Sequence, residues 1–208
     1  MNKEIIAWTV VGGAAALLIG CATAPTDAET TAKATQMMKA SFKAKGQAKL
    51  DRLDQDETQK LCSEYTGKQL PKEVAEKIEK VNLASIKWPA DGKYLGDWKS
   101  GEKIAQLGQG MQYSDDPKKP SGANCYACHR LAPQELSYGT IGPTLYQYGK
   151  ARGFTEETTK YVYGRIWNAQ AYAACSNMPR FGHNHILTEA QIKDVTALLM
   201  DPNSPVNK

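Results

Sequence analysis

Residues 122–131 read GANCYACHRL, which sets Cys125, Cys128 and His129 side by side in a chain with only five cysteines and three histidines. Three chemistries use two thiols at this spacing. A thioredoxin-type dithiol has no need of a following histidine and normally follows a strand in a βαβ pattern; no such pattern precedes residue 125. A structural zinc site takes about four ligands, and the remaining ones, Cys62, Cys175, His183 and His185, suffice in number but lack a second close cysteine pair. Covalent haem attachment employs all three residues. The thiols add to the two vinyl groups, and the short tether brings His129 under the iron as proximal ligand. One covalently bound haem c is therefore the expected cofactor.

The 208 residues are 41% hydrophobic and 23% charged, the proportions of one domain, or of one domain with an appendage, and not of a disordered chain or a bundle of membrane spans. Net charge is only +4, and no run of Lys and Arg interleaved with aromatics marks a nucleic-acid groove, so no nucleic-acid partner is expected.

No segment sustains the alternation of a strand, and the expected fold is all-α. Residues 29 to 65 favour helix by propensity, with a narrow apolar face. A second helix is expected from Pro71, a suitable first helical residue, to about Ala84, with Val74, Ile78 and Val81 on one face. The stretch KWPADGKYLGDW then breaks the pattern with Pro89, Gly92 and Gly96. From Trp98, the apolar positions Ile104, Leu107 and Met111 predict a short helix that Ser100 would cap. A helix from about Glu156 to Asn168 is capped by Thr155. The last has a capping box at Thr188 and Gln191, an apolar stripe of Ile192, Val195 and Leu199, and a stop at Asp201 and Pro202. The expected organisation is thus residues 1–20 as an export signal, 21–97 as a tether and helical extension, and 98–208 as the haem domain.

The first segment rests on IIAWTVVGGAAALLIG, Ile5 to Gly20, a charge-free run shorter than the ~20 residues a spanning helix needs. It stops at LIGC, which resembles the cleavage and lipidation box of bacterial lipoproteins. On that resemblance Cys21 carries the lipid, the polar tract behind it is a tether, and the protein sits in the periplasm held to a membrane; a single uncleaved anchor helix is the alternative. Either way the rest of the chain enters an oxidising compartment. Setting aside Cys21, Cys125 and Cys128 leaves Cys62 and Cys175, a candidate disulfide that would clamp the extension to the loop around Met178. Nothing in the sequence shows that the two Cα atoms lie within the ~7 Å this requires.

A second axial ligand would come from Met111, Met178, Met200, His183, His185 or Cys175. Met178 is favoured. It stands in the polar loop CSNMPRFG, where a core methionine is not expected, and far enough from His129 for the chain to pass round the haem edge. Gly142 and Pro143 should form a rigid turn whose proline carbonyl, beside His129, would accept the Nδ1 proton and leave Nε2 for iron.

Together these features resemble the class I cytochrome c family over residues 98–201. The blocks NCYACHRLAPQELSYGTIGPTLYQYG and NMPRFGHNHILTEAQIKDV are similar to the SoxX family, the monohaem subunits of the SoxAX complex of sulfur-oxidising bacteria. That resemblance implies an electron-transfer subunit with no catalytic residue of its own. Cys125 and Cys128 would hold the haem and His129 and Met178 bind iron. Electrons released when thiosulfate is coupled to a SoxYZ carrier cysteine on the SoxA-type partner would pass through this chain to a downstream acceptor. The helical extension and Cys21 depart from the simplest members. The rival class is a stand-alone electron carrier. Tyr138, Tyr146, Tyr148, Tyr161, Tyr163, Tyr172 and Trp167 favour the subunit reading if they form an interface, and the same residues would equally pack a core.

Overall fold

The computed structural model describes residues 26–208, so the apolar run and Cys21 lie outside the described residues. These divide into two compact units, the first ending at Ser41 and the second spanning Phe42–Lys208. In the first, α1 (Asp27–Ser41) starts with a reciprocal cap in which Thr26 N donates to Glu29 Oε2 at 2.8 Å and Glu29 N to Thr26 Oγ1 at 3.2 Å. None of its residues is buried, so capping and propensity rather than packing make it a helix.

The second unit contains α2 (Glu57–Glu64), α3 (Lys72–Ala84), α4 (Trp98–Gln106), α5 (Tyr148–Arg152), α6 (Glu156–Trp167) and α7 (Glu189–Met200). Among the described residues the only β pairing is a bridge between Lys45 and Ala48. The fold is all-helical, with extra helices ahead of α4. No helix among the described residues is long and apolar enough to cross a membrane.

The centre of the unit is the contact of α4 with α7. Gly101 makes it close: a Cβ there would stand 2.1 Å from the Asp194 carbonyl oxygen, so any side chain would push the helices apart. Asp194 also accepts from Asp97 N at 2.8 Å, and Gly96 N donates to Lys193 O at 3.0 Å. Ala105, Val162, Ile166, Ile192, Val195, Leu198 and Leu199 fill the core between α4, α6 and α7.

The extension from Phe42 onward is part of this unit. Buried Asn82 on α3 donates to Thr58 Oγ1 at 3.0 Å, and buried Asn168 at the end of α6 donates to Asn82 Oδ1 at 2.8 Å and Ser85 Oγ at 3.0 Å. The satisfied amides join α2, α3 and α6 through a polar network with no loose member, the only kind worth burying.

Several sequence expectations change. Residues 29–65 are not one helical region, because α1 stops at Ser41 and a short 3-10 turn at Leu50–Leu53 precedes α2. Pro71 is the N-cap of α3 and not its first helical residue, and of the expected apolar face Ile78 is buried while Val81 points outward at 58% exposure, Asn82 taking the inward place beside it. Asp97 caps α4 in place of Ser100, its carboxylate accepting from Lys99 N and Ser100 N; the helix ends at Gln106, which leaves Met111 in a loop with φ 67°. Tyr163 and Trp167 are buried and stack on each other at 5.9 Å, with Trp88 and Tyr94 packed on Tyr163, so this part of the aromatic set is core and no free surface.

Candidate functional site

The chain leaving α4 folds back along it: Gly122 N donates to Gln109 O, Ala123 N to Ile104 O and Asn124 N to Leu107 O, at 2.8 to 3.1 Å. Asn124 adopts the left-handed region, φ 47°, which asparagine tolerates and which turns the chain into the 3-10 turn Cys125–Ala127. Cys128 N and His129 N both donate to Cys125 O, at 3.1 and 2.9 Å. This tight turn is why two thiols and an imidazole that are near in sequence stay near in space.

A second segment runs beside the first. Gly139 N donates to Tyr126 O, Gly142 N to Cys128 O and Leu145 N to Arg130 O, at 2.8 to 2.9 Å. This zip brings the Pro143 carbonyl to 2.7 Å from His129 Nδ1. A carbonyl can only accept, so Nδ1 carries the proton and Nε2 keeps its lone pair. Gly142 lies against the ring: a Cβ at 142 would come within 2.2 Å of His129 Cε1. The glycine admits the close approach and the proline supplies the acceptor.

Burial pushes the Cys125 thiol up to about 12, though its side chain keeps a partly exposed surface. Between the two cysteines Tyr126 turns inward and donates its hydroxyl to Glu102 Oε1 of α4 at 2.9 Å; Gln106 Nε2 donates to the same oxygen at 3.0 Å. Glu102 Oε2 is buried without a partner, and burial, ahead of the neighbouring Glu135, raises this carboxyl above its ordinary range. Such a group binds its proton more tightly folded than unfolded, so it favours the fold at low pH and that contribution is lost as pH climbs through the raised value. Glu102→Gln removes the titration. The unfolding free energy of the unmodified protein relative to this variant should therefore rise as pH falls from neutral through the raised carboxyl range. Urea titrations of the haem-loaded protein at several pH values check it; a constant gap would contradict the assignment.

The loop bearing Met178 follows α6 and the 3-10 turn Ala169–Ala171. Met178 is half-buried and packs on the hydrophobic cluster, its N donating to Ser176 Oγ at 3.2 Å. Cys175, with φ 59°, is joined to Cys62 of α2 by a disulfide, Cα–Cα 5.4 Å, across 113 positions of sequence. The bond takes both thiols that a zinc site would have needed; among the described residues no group of three or more His, Cys, Asp and Glu is placed to hold a metal ion. Of the other ligand candidates, Met200 is buried within α7 at 1% exposure. His183 faces the extension, with Nδ1 3.3 Å from Ser85 Oγ and Nε2 4.0 Å from Asp56 Oδ2, and burial, then the charge of Arg180, lowers its pKa. Met111 and His185 line a surface cavity of about 390 Å³ with Ser121 and Gln191.

Sequence reasoning passed over Asp56, Glu102, Tyr126 and Arg180. Asp56 had a readable signal, since Asp56 and Gln59 form a capping box at the start of α2. The others are defined only by what they meet.

The cytochrome c family model matches residues 115–201, which include the attachment segment, the Gly142-Pro143 turn, the Met178 loop and α7. An uncharacterized lipoprotein of Aquifex aeolicus (strain VF5) is 41% identical over 160 residues, covering 74% of this chain and 73% of that protein, so the likeness takes in more than the family segment. Residues 115–201 are a cytochrome c domain, in a chain related to that lipoprotein. The residues of this cytochrome suit haem on the chemistry of the donor set and on one further observation. Trp167 Nε1 is buried with no partner, an N–H donor of the kind that a propionate oxygen satisfies. Haem-binding capacity and a cytochrome c-type role in electron transfer follow from the family.

Proposed function

We propose that this cytochrome is an exported one-electron carrier with one covalently attached haem c. In this reading Cys125 and Cys128 are the thioether positions, His129 and Met178 are the axial pair, and Cys21 carries a lipid that holds the protein to a membrane facing the periplasm. Bound haem supplies a one-electron couple. The chain's own part is to fix the imidazole tautomer through Pro143, to keep Nε2 directed away from that bond, and to hold a thioether on a fastened loop. The observation that carries the reading is the Pro143–His129 bond, which prepares the imidazole as a ligand. The name of the Aquifex relative supports the lipid anchor.

Replacing Met178 with Ala tests the axial pair. The sulfur-to-iron charge-transfer band at the red end of the oxidised spectrum should disappear and the potential should fall by roughly 0.1 V or more, within the ~0.8 V that axial ligands span. An unchanged spectrum would point to a histidine instead.

A second reading makes the chain the electron-transfer subunit of a SoxAX-type complex acting on thiosulfate and SoxYZ. It is favoured by the two SoxX-like blocks and by a groove that Leu83 and Tyr161, 44% and 40% exposed, line with Trp88 and Tyr172, edged by Glu157 and Lys160. Size-exclusion analysis after co-expression with a SoxA-like subunit separates the two: co-migration supports the subunit, and a haem-loaded monomer beside the folded partner supports the carrier.

A further inference from the structure

The Met178 loop is gripped from both sides by one short helix. Cys175, three residues before Met178, is covalently joined to Cys62 near the end of α2. Arg180, two residues after it, has a side chain only 6% exposed and pairs through Nη2 with Asp56 Oδ2 at the start of the same helix. Asp56 is itself fixed. Its Oδ1 accepts from Gln59 N at 2.8 Å and its own N donates to Gln59 Oε1 at 2.9 Å, so the carboxylate that meets Arg180 is held by the cap of α2. Two further contacts tie the flanks: Glu79 Oε1 of α3 accepts from Ala174 N at 3.2 Å, and His183 Nδ1 lies 3.3 Å from Ser85 Oγ.

We propose that Asp56 and Arg180 form a positioning pair that sets the Met178 loop on the extension and so holds the thioether in place against competing ligands. This rests on the reading of Met178 as an axial ligand. The disulfide fixes the near side of the loop; on the far side Gly182 N and His183 N donate to Trp167 O at 3.0 and 3.2 Å, which leaves the stretch from Cys175 to Phe181 to be placed. The ion pair supplies the second fixed point, and two points on one helix define where the segment between them lies. Removing the carboxylate leaves a buried guanidinium without its counter-charge, a state costly enough that the loop moves to solvate it. A loop that spends more time displaced presents its site to an added ligand more often, and apparent affinity rises with the populated fraction.

The test uses the haem-loaded, oxidised protein with its disulfide intact, and imidazole as the probe. Asp56→Asn keeps a good N-cap residue and removes only the charge. It should bind imidazole roughly tenfold more tightly than the unmodified protein, with a weakened sulfur-to-iron band before imidazole is added. Glu57→Gln, one position along α2 from Asp56, removes the exposed pair of Glu57 with Lys77 of α3 and should bind imidazole like the unmodified protein. If Asp56→Asn does not accumulate, Asp56→Asn with Arg180→Met removes both charges together and avoids the unpaired guanidinium; it should show the same gain in imidazole affinity. Either variant, folded and binding imidazole no more tightly than the unmodified protein, overturns the pair. Failure of the underlying reading looks different: the unmodified protein itself would lack the sulfur-to-iron band.

Discussion

Replacing Cys125 and Cys128 together with Ala should yield an exported chain that keeps no haem through acid denaturation, whereas the unmodified protein keeps all of it. The expectation is all-or-none because a thioether is covalent. The attachment segment is not otherwise a deep pocket: Cys125 and Cys128 are both partly exposed, and Leu136 and Ile141 on the neighbouring segment are 86% and 80% exposed. With the thiols gone, the imidazole of His129 and the packing around it must hold the group unaided, and denaturation removes the packing. Extraction in acidified organic solvent followed by visible spectra of polypeptide and solvent phases decides it. Haem that extracts freely from the unmodified protein would remove the basis of the proposed function.

Cys62→Ser with Cys175→Ser should cost the folded protein about 2–4 kcal/mol, with a chain-entropy estimate of roughly 4–5 kcal/mol for a closure of this length. The bond spans 113 positions of sequence, so it removes a large share of the freedom of the unfolded chain. On the folded side, Gln170 Oε1 loses part of its setting, since it accepts from Cys175 N at 3.1 Å and lies 3.7 Å from Cys62 Sγ. For a protein of this size the thermal midpoint should fall by roughly 4–16 °C. Intact mass after alkylation without reduction is the companion measurement. The matured protein should show no label at Cys62 or Cys175; two labelled thiols there would refute the clamp.

The parts of the fold legible in the sequence are those whose cause is local. Thr188 and Gln191 signalled the start of α7, and Thr155 that of α6, because a cap is made by neighbours in the chain. The spacing of Cys125, Cys128 and His129 was legible because it is itself the chemical signal. Local reading failed where a distant partner overrides a near one. Asp97 outcompeted Ser100 as the cap of α4 because its own N–H is fixed by Asp194, 97 positions away. The inward face of α3 carries polar Asn82 beside Ile78 because Asn82 meets Asn168, 86 positions on, and Val81 is left outside. Arg180 reads as a surface residue in the polar loop, and only Asp56, 124 positions earlier, makes its burial tolerable. No periodicity records such meetings.

The disulfide also constrains how the molecule is made. On the proposed function four thiols enter the oxidising compartment beyond Cys21, and four cysteines can pair completely in three ways, each of which consumes Cys125 and Cys128. Cys125 and Cys128 are nearest each other in the chain and would close first in an unguided race, since short loops form fastest. In the folded chain without haem, burial pushes the Cys125 thiol up to about 12, which leaves little thiolate to react. The order of assembly follows: thioether formation belongs to the open chain, while Cys125 and Cys128 are reduced and accessible, and the bond between Cys62 and Cys175 belongs to the end, once α2 and the Met178 loop have met. On the proposed function, a cell that makes this cytochrome must hold one pair of thiols reduced in the same compartment in which it oxidises the other.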